Sequence, residues 1–255
     1  MLEVSEIREK VWEVKLNRPE IHNAFNDELI SKITATFHNL SKNEKARLIV
    51  LTGEGRSFCA GADLNWMKSM VNYSEEENKA DSEKLFDMFA SINNCPIPVL
   101  GAVNGHALGG GMGLVSVCDF SLTHEKAKFG FTETRLGLIP AVISSFCLGQ
   151  IGENHARAWF ISGEKFSAAQ AHQMGLVHEV SSLESFEQRK NDWIESFLQA
   201  GPVASRASKR LIKDLKNESD LKKYTCSEIA RIRVSKEGQE GMNALLEKRK
   251  ASWNE

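Results

Sequence analysis

The chain alternates between short, wholly apolar runs and longer stretches in which apolar residues recur every three or four positions. Val11-Trp12-Glu13-Val14-Lys15-Leu16 alternates apolar and polar side chains, the pattern of a half-buried strand. Asn17-Arg18-Pro19-Glu20 turns the chain. Asn26 or Asp27 can cap a helix running to about Leu40, with Leu29, Ile30, Ile33, Phe37 and Leu40 on its apolar face. Leu48-Ile49-Val50-Leu51 is a continuous apolar run ahead of Thr52-Gly53, as in a strand covered on both faces. A helix between two such strands is a βαβ crossover. Residues 64–93 read as helical, with a polar break at 72–77 that is a candidate mobile surface segment. Residues 96–103 form the next buried strand, a helix starts near Gly109 and ends before Cys118, and another strand reaches Leu122.

From Ser182 onward the chain is helical and poor in strands. Pro202 fits the first turn of a helix to about Lys216, and Leu221–Val234 and Lys236–Lys250 read as two more. The expected fold class is α/β, with residues 1–200 as the core and 201–255 as a C-terminal helical region. No low-complexity linker or strict repeat separates them, so the change near residue 200 is one of architecture rather than a hinge.

Composition narrows the function classes. A chain of 255 residues can bury a large core, and 42% hydrophobic with 26% charged residues is ordinary for a globular protein. A net charge of −2 argues against nucleic-acid or anionic-membrane binding. Arg206, Lys209, Arg210, Lys213 and Lys216 are expected to be a solvated helix face. Cys59, Cys95, Cys118, Cys147 and Cys226 form no CxxC pair and fit a reducing compartment. His22, His38, His106, His124, His155, His172 and His178 show no metal-ligand spacing, so no metal site is expected. Met1-Leu2-Glu3-Val4-Ser5 lacks the features of a leader, and no apolar run is long enough to span a membrane. A cytoplasmic protein is expected.

Two loops carry the candidate chemistry. Ala60-Gly61-Ala62-Asp63 and Leu108-Gly109-Gly110-Gly111 each follow a buried strand and precede a helix. Ligand loops of α/β folds sit at the carboxyl ends of strands. Main-chain N–H groups from two such turns can hold one carbonyl oxygen as it becomes an oxyanion. Tight packing turns need the same small residues, but two loops in one context favour a site. Glu133 is a lone carboxylate downstream and a candidate proton handler. An anion site with one acid–base group points to enolate chemistry on a carbonyl compound. Cys59 lies beside the first loop, yet no partnered histidine makes it a nucleophile.

The runs Ser57-Phe58-Cys59-Ala60-Gly61-Ala62-Asp63-Leu64, Gly105 to Gly111 with Cys118-Asp119, and Phe129 to Pro140 resemble the signature of the enoyl-CoA hydratase/isomerase (crotonase) family. The resemblance extends from Asn17-Arg18-Pro19 to Ala171–Val177. It implies a ββα spiral core and subunits assembled as homotrimers or homohexamers through the C-terminal helices. It implies an acyl-CoA thioester as substrate, with coenzyme A part of that substrate and no separate cofactor. The N–H groups of Ala62 and Gly110 would bind the thioester oxygen, and Glu133 would exchange the proton. Ala60, Asp63, Leu64 and Asn65 would line the coenzyme A channel, with Ala24 at its other turn and Gly109 beside the oxyanion.

Gly113 departs from the pattern, because typical hydratases place a second glutamate there. Residues 63–68 and 137–144 resemble bacterial methylglutaconyl-CoA hydratases and carboxygeranoyl-CoA hydratases, which can carry glycine at that position. The resemblance therefore implies hydration of a branched, carboxylated enoyl-CoA by a single glutamate. An isomerase using the same glutamate, or a non-catalytic acyl-CoA-binding protein, are the alternatives. A distal carboxylate needs a cation or hydroxyl, for which Lys68, Ser144 and Ser145 are candidates, each equally readable as structural. Arg135 either orients Glu133 or pairs on the surface.

Overall fold

The computed structural model describes residues 1–254. Among the described residues ten strands, taken in chain order, form two sheets. The strands of the larger sheet are β1 (Leu2–Arg8), β2 (Val11–Leu16), β3 (Leu48–Gly53), β5 (Val99–Val103), β7 (Phe120–His124) and β10 (Glu179–Ser181), in that spatial order. All its neighbours pair in parallel except β1 with β2. The smaller sheet contains β4 (Ser57–Cys59), β6 (His106–Leu108), β8 (Lys128–Gly130) and β9 (Lys165–Ser167), with only the last pair antiparallel.

The helices are α1 (Asp27–Leu40), α2 (Leu64–Met70), α3 (Glu75–Asn93), α4 (Gly110–Ser116), α5 (Ala141–Ser162), α6 (Ala168–Gln173), α7 (Phe186–Gln199), α8 (Pro202–Asp214), α9 (Leu221–Arg233) and α10 (Lys236–Leu246). Chain order gives the repeating unit. A strand of the larger sheet leads to a short strand of the smaller sheet and then to helix. This happens from β3 through β4 to α2 and α3, from β5 through β6 to α4, and from β7 through β8 to α5. This is a ββα spiral of the kind the resemblance implies, repeated in structure without a repeated sequence. The three mutually parallel strands of the smaller sheet, β4, β6 and β8, therefore deliver the chain to loops at the same side.

The pattern-based elements form for the expected reasons. α1 begins with the Asn26 side chain accepting from Leu29 N–H, and it buries Leu29, Ile30, Ile33, Phe37 and Leu40. Each such burial contributes about 1.5–3 kcal/mol. β3 is buried along its whole length, and it lies parallel to β2 across α1. The acidic run 75–77, expected within a surface break, instead opens α3. Ser74 accepts from Glu77 N–H while the Glu77 carboxylate accepts from Ser74 N–H, a capping box with acids at the positive end of the helix.

The basic residues near the C-terminus differ from expectation in part. Arg206 donates to the carbonyls of Asn43, Glu44 and Ala46, and Lys209 to Asp119. Lys213 donates to Asn94 and Arg210 to Glu228. Arg206 and Lys209 thus hold α8 to the core, whereas Arg210, Lys213 and Lys216 are exposed, as a solvated face requires. The last helices leave Val234, Leu245 and Leu246 more than three-quarters exposed. Among the described residues no helix is long and apolar enough to cross a membrane.

Candidate active site

The first loop runs from β4 into α2 and is bracketed by residues 18–25. Phe25 N–H donates to Gly61 O at 2.7 Å and Asp63 N–H donates to Phe25 O at 2.8 Å. These two bonds form a parallel bridge between Phe25 and Ala62. In such a bridge the middle residue turns its own N–H away from the partner. Ala62 N–H accordingly has no acceptor among the described residues. Asp63 secures the turn. Its carboxylate accepts from Asn65 N–H at the start of α2 and from Arg18 Nη2, each at 2.8 Å. Burial pushes the Asp63 carboxyl up, but these donors outweigh it and hold it below the usual range.

The second loop runs from β6 into α4. Gly109 has φ +51° and ψ −125°, a conformation open to glycine, and its N–H donates to Gly130 O at 2.9 Å. Gly110 begins the helix, so its N–H has no acceptor within it and finds none elsewhere among the described residues. The loops touch back to back. A Cβ on Gly61 would lie 3.4 Å from Gly110 N and 3.1 Å from Leu108 O. A Cβ on Gly111 would lie 2.2 Å from Cys59 O. The glycines thus let the loop that carries Ala62 and the loop that carries Gly110, each with a free N–H group, pack in direct contact.

Glu133 stands on a 3-10 turn, Thr132–Leu136, that follows β8. The turn is pinned to the end of α5: Thr134 Oγ1 donates to Phe160 O, and Arg135 pairs with Glu164. Arg135 therefore makes the surface pair of the two alternatives. Between these anchors the Glu133 carboxylate faces the second loop, with Oε1 3.5 Å from where a Cβ on Gly109 would be. Its Oε2 is buried with no hydrogen-bond partner. Burial pushes the Glu133 carboxyl up from its ordinary range, with its own backbone N–H offsetting part of the rise. A carboxyl with a raised pKa, beside a loop with a free N–H donor, can take a proton from carbon or water and return it.

Apolar side chains occupy the position over Gly113. A Cβ there would stand 2.5 Å from Phe89 Cζ and 2.8 Å from Ile143 Cγ2. Cys147, one turn along α5 from Ile143, is close enough for the Glu133 charge to help raise its thiol, which burial pushes up to about 12. Cys59 is likewise buried and pushed up to about 12, so it is a core thiol.

The other expected residues are distributed around this centre. Ala24 is buried beside the bridge, and Ala60 N–H donates to His22 O at 3.0 Å. Leu64, Asn65 and Lys68 are exposed along α2. Lys68 has no carboxylate partner among the described residues, whereas Ser144 Oγ donates to Ala141 O at 2.6 Å. Sequence reasoning missed the roles of Phe89 and Arg18. It also missed Asn23, whose buried amide donates to Glu54 O and Ser57 O and accepts from Arg18 N–H, fixing the loop ahead of β4. Its only local signal is the left-handed pair His22-Asn23 after Pro19, which the sequence does not reveal.

The pattern of the Enoyl-CoA hydratase/isomerase family matches residues 6–255. The chain is 30% identical to a putative enoyl-CoA hydratase of Thermus thermophilus over 238 residues, covering 92% of this chain and 94% of that one. It superposes on a crystal structure of a putative enoyl CoA hydratase/isomerase (crotonase) from Legionella pneumophila with a TM-score of 0.92 at 39% identity, covering 99% and 98% of the two chains. Pseudomonas aeruginosa AtuE superposes with a TM-score of 0.95 at 29% identity, over 100% and 99%.

Proposed function

We propose that this chain, which belongs to the enoyl-CoA hydratase/isomerase family, adds water across the C2=C3 bond of an enoyl thioester of coenzyme A with Glu133 as its single acid–base group. The observation that carries this reading is the placement of Glu133. One carboxylate oxygen is packed at Gly109 and the other is buried without a partner, next to the free N–H groups of Ala62 and Gly110.

In the forward direction the Glu133 carboxylate takes a proton from water, and the water oxygen bonds to C3. The C2=C3 electrons move toward C1, and the thioester oxygen becomes an enolate oxygen. The Ala62 and Gly110 N–H groups donate to that oxygen, each such donor contributing about 3 kcal/mol to the transition state. Glu133 then gives its proton to C2, so one carboxyl returns to its starting state with one water added. The acyl group is a branched, carboxylated one such as 3-methylglutaconyl. That choice is supported by the resemblance of residues 63–68 and 137–144 and by the unpartnered ammonium of Lys68. The helical region 201–255 assembles three or six copies, a reading supported by the exposed Val234, Leu245 and Leu246.

A second reading, double-bond isomerisation, is favoured by Phe89 and Ile143 over Gly113, because no second polar group there holds a water. Parallel assays of 2-enoyl and 3-enoyl thioesters separate the two. Hydration removes the conjugated-thioester absorbance and yields a hydroxyacyl product. Appearance of that absorbance from the 3-enoyl isomer with no hydroxyacyl product rejects hydration.

A further inference from the structure

Gly110 and Gly113 are three residues apart on α4, so they share one helix face about one turn apart. Helical Cβ atoms lean toward the N-terminus, so a side chain on residue 113 would grow toward the Gly109–Gly110 end. That space already holds Phe89 Cζ and Ile143 Cγ2. Phe89 has no solvent exposure and little freedom to swing aside. Phe25 meets its ring edge-on at 6.2 Å between centroids, and Phe146 packs on it at 5.7 Å. Phe25 is itself held against the oxyanion loop, with Cε2 2.8 Å from where a Cβ on Gly110 would be. Phe146 also contacts Phe86, at 5.2 Å. The ring over Gly113 is therefore the inner member of an aromatic stack anchored to both α3 and α5.

A thioester whose oxygen sits on the Ala62 and Gly110 N–H groups has C3 two bonds beyond its carbonyl carbon. C3 and its substituents then fall within one helical turn of Gly110, where the Phe89 ring stands. We infer that Phe89, with Ile143, is a specificity-determining stop that fixes how much bulk the acyl group carries at and beyond C3. On this inference a hydrogen or a methyl branch at C3 is accepted and larger branches are rejected. The inference rests on the thioester reading of the two N–H groups given above.

The test measures binding by calorimetry of butanoyl-CoA, 3-methylbutanoyl-CoA and 3-ethylpentanoyl-CoA. Turnover of the matching 2-enoyl thioesters is followed beside it. The wild type is expected to bind the first two and to bind the third about tenfold or more weakly, the discrimination an apolar pocket gives per methylene. Phe89→Leu should close that gap about tenfold, with butanoyl-CoA changed much less. Ile143→Val, a smaller truncation that keeps the stack, should close it in the same direction and serves if Phe89→Leu does not fold. An unchanged gap, or an equal shift for all three thioesters, overturns the stop. If the gap closes while the wild type turns over no enoyl thioester, the stop holds and the hydration reading fails. Turnover with an unaltered gap does the reverse, and binding of none of the thioesters overturns both.

Discussion

The Ala60–Asp63 loop is held by polar groups, whereas the Leu108–Gly113 loop is held by the absence of side chains. In the first, Arg18, Asp63 and the two main-chain bonds to Phe25 fix the direction of Ala62 N–H. In the second, Gly109 has no capping side chain, and Gly110, Gly111 and Gly113 each abut atoms that a Cβ would strike. The same chemical group is thus presented once by a network of bonds and once by close packing. A bonded loop can lose one partner and relax. A packed loop has no slack, because its contacts are with main chain and buried rings. Glu133 belongs to the packed side, since its carboxylate rests on Gly109.

The largest expected effect concerns that carboxylate. Glu133→Gln should lower kcat about a thousandfold, the scale of general acid–base catalysis, while a saturated thioester binds within about twofold of wild type. A variant that lost binding and turnover together would move Glu133 from proton transfer to packing. The raised pKa also makes a stability prediction. Below the ordinary glutamate value both folded and unfolded chains hold the proton, and the carboxyl costs nothing. As pH rises through the higher folded value, the folded protein acquires a buried anion that the unfolded chain solvates freely. The melting temperature of Glu133→Gln relative to wild type should therefore increase from acidic pH toward neutrality and then level off. A difference independent of pH would show that burial does not raise the Glu133 carboxyl. The acid limb of kcat/KM should lie above the ordinary glutamate range for the same reason.

Next comes the packed loop itself. Gly111→Ala places a methyl 2.2 Å from Cys59 O, a main-chain atom of the neighbouring loop. It should destabilise by about 3 kcal/mol, read as a shift in denaturant midpoint. Gly149→Ala is the control, because nothing lies within 4 Å of its Cβ position in α5. That change should stabilise by about 0.5 kcal/mol through helix propensity and chain entropy. Equal effects of the two substitutions would remove the argument that contact between the loops places the N–H groups.

The bonded loop should give way more gently. Asp63→Asn keeps a helix cap but leaves Arg18, whose side chain is 13% exposed, without its anion. A cost of about 2 kcal/mol is expected, with KM for thioesters raised as the Ala62 N–H drifts. A larger loss than for Gly111→Ala would reverse the contrast between the two loops.

How much of this was legible follows from the same contrast. α1, β3 and β5 are long or uniformly apolar, so local pattern finds them. The two glycine loops are visible because glycine has few other uses between a buried strand and a helix. β1 is an exposed edge strand, and β4, β6, β8 and β9 are three residues each, too short to show a period. α5 is broken by Gly152 in a non-helical conformation, which disrupts its apolar stripe. Gly113 announces that a carboxylate is missing, but its partner Phe89 lies on another helix. A contact of that kind has no local signature, and neither does the Arg18–Asp63 pair.

The smallest effect tests whether the polar side of the site reaches the substrate. Lys68 lies in the last turn of α2, exposed and without a carboxylate partner among the described residues. An exposed ion pair contributes about 0.2–1 kcal/mol, so removing it changes affinity by no more than about fivefold. Lys68→Ala should therefore raise KM for a glutaconyl-type thioester about twofold to fivefold and leave an uncharged 2-butenoyl thioester unaffected. Salt discriminates further, because such a contact is screened within about 10 Å at 0.1 M ionic strength. The wild-type advantage for the carboxylated thioester should fade as salt rises, whereas any advantage from the Phe89 side should not. Equal changes for both thioesters would show that Lys68 acts on the coenzyme A portion or on α2 itself. The distal carboxylate would then need another cation.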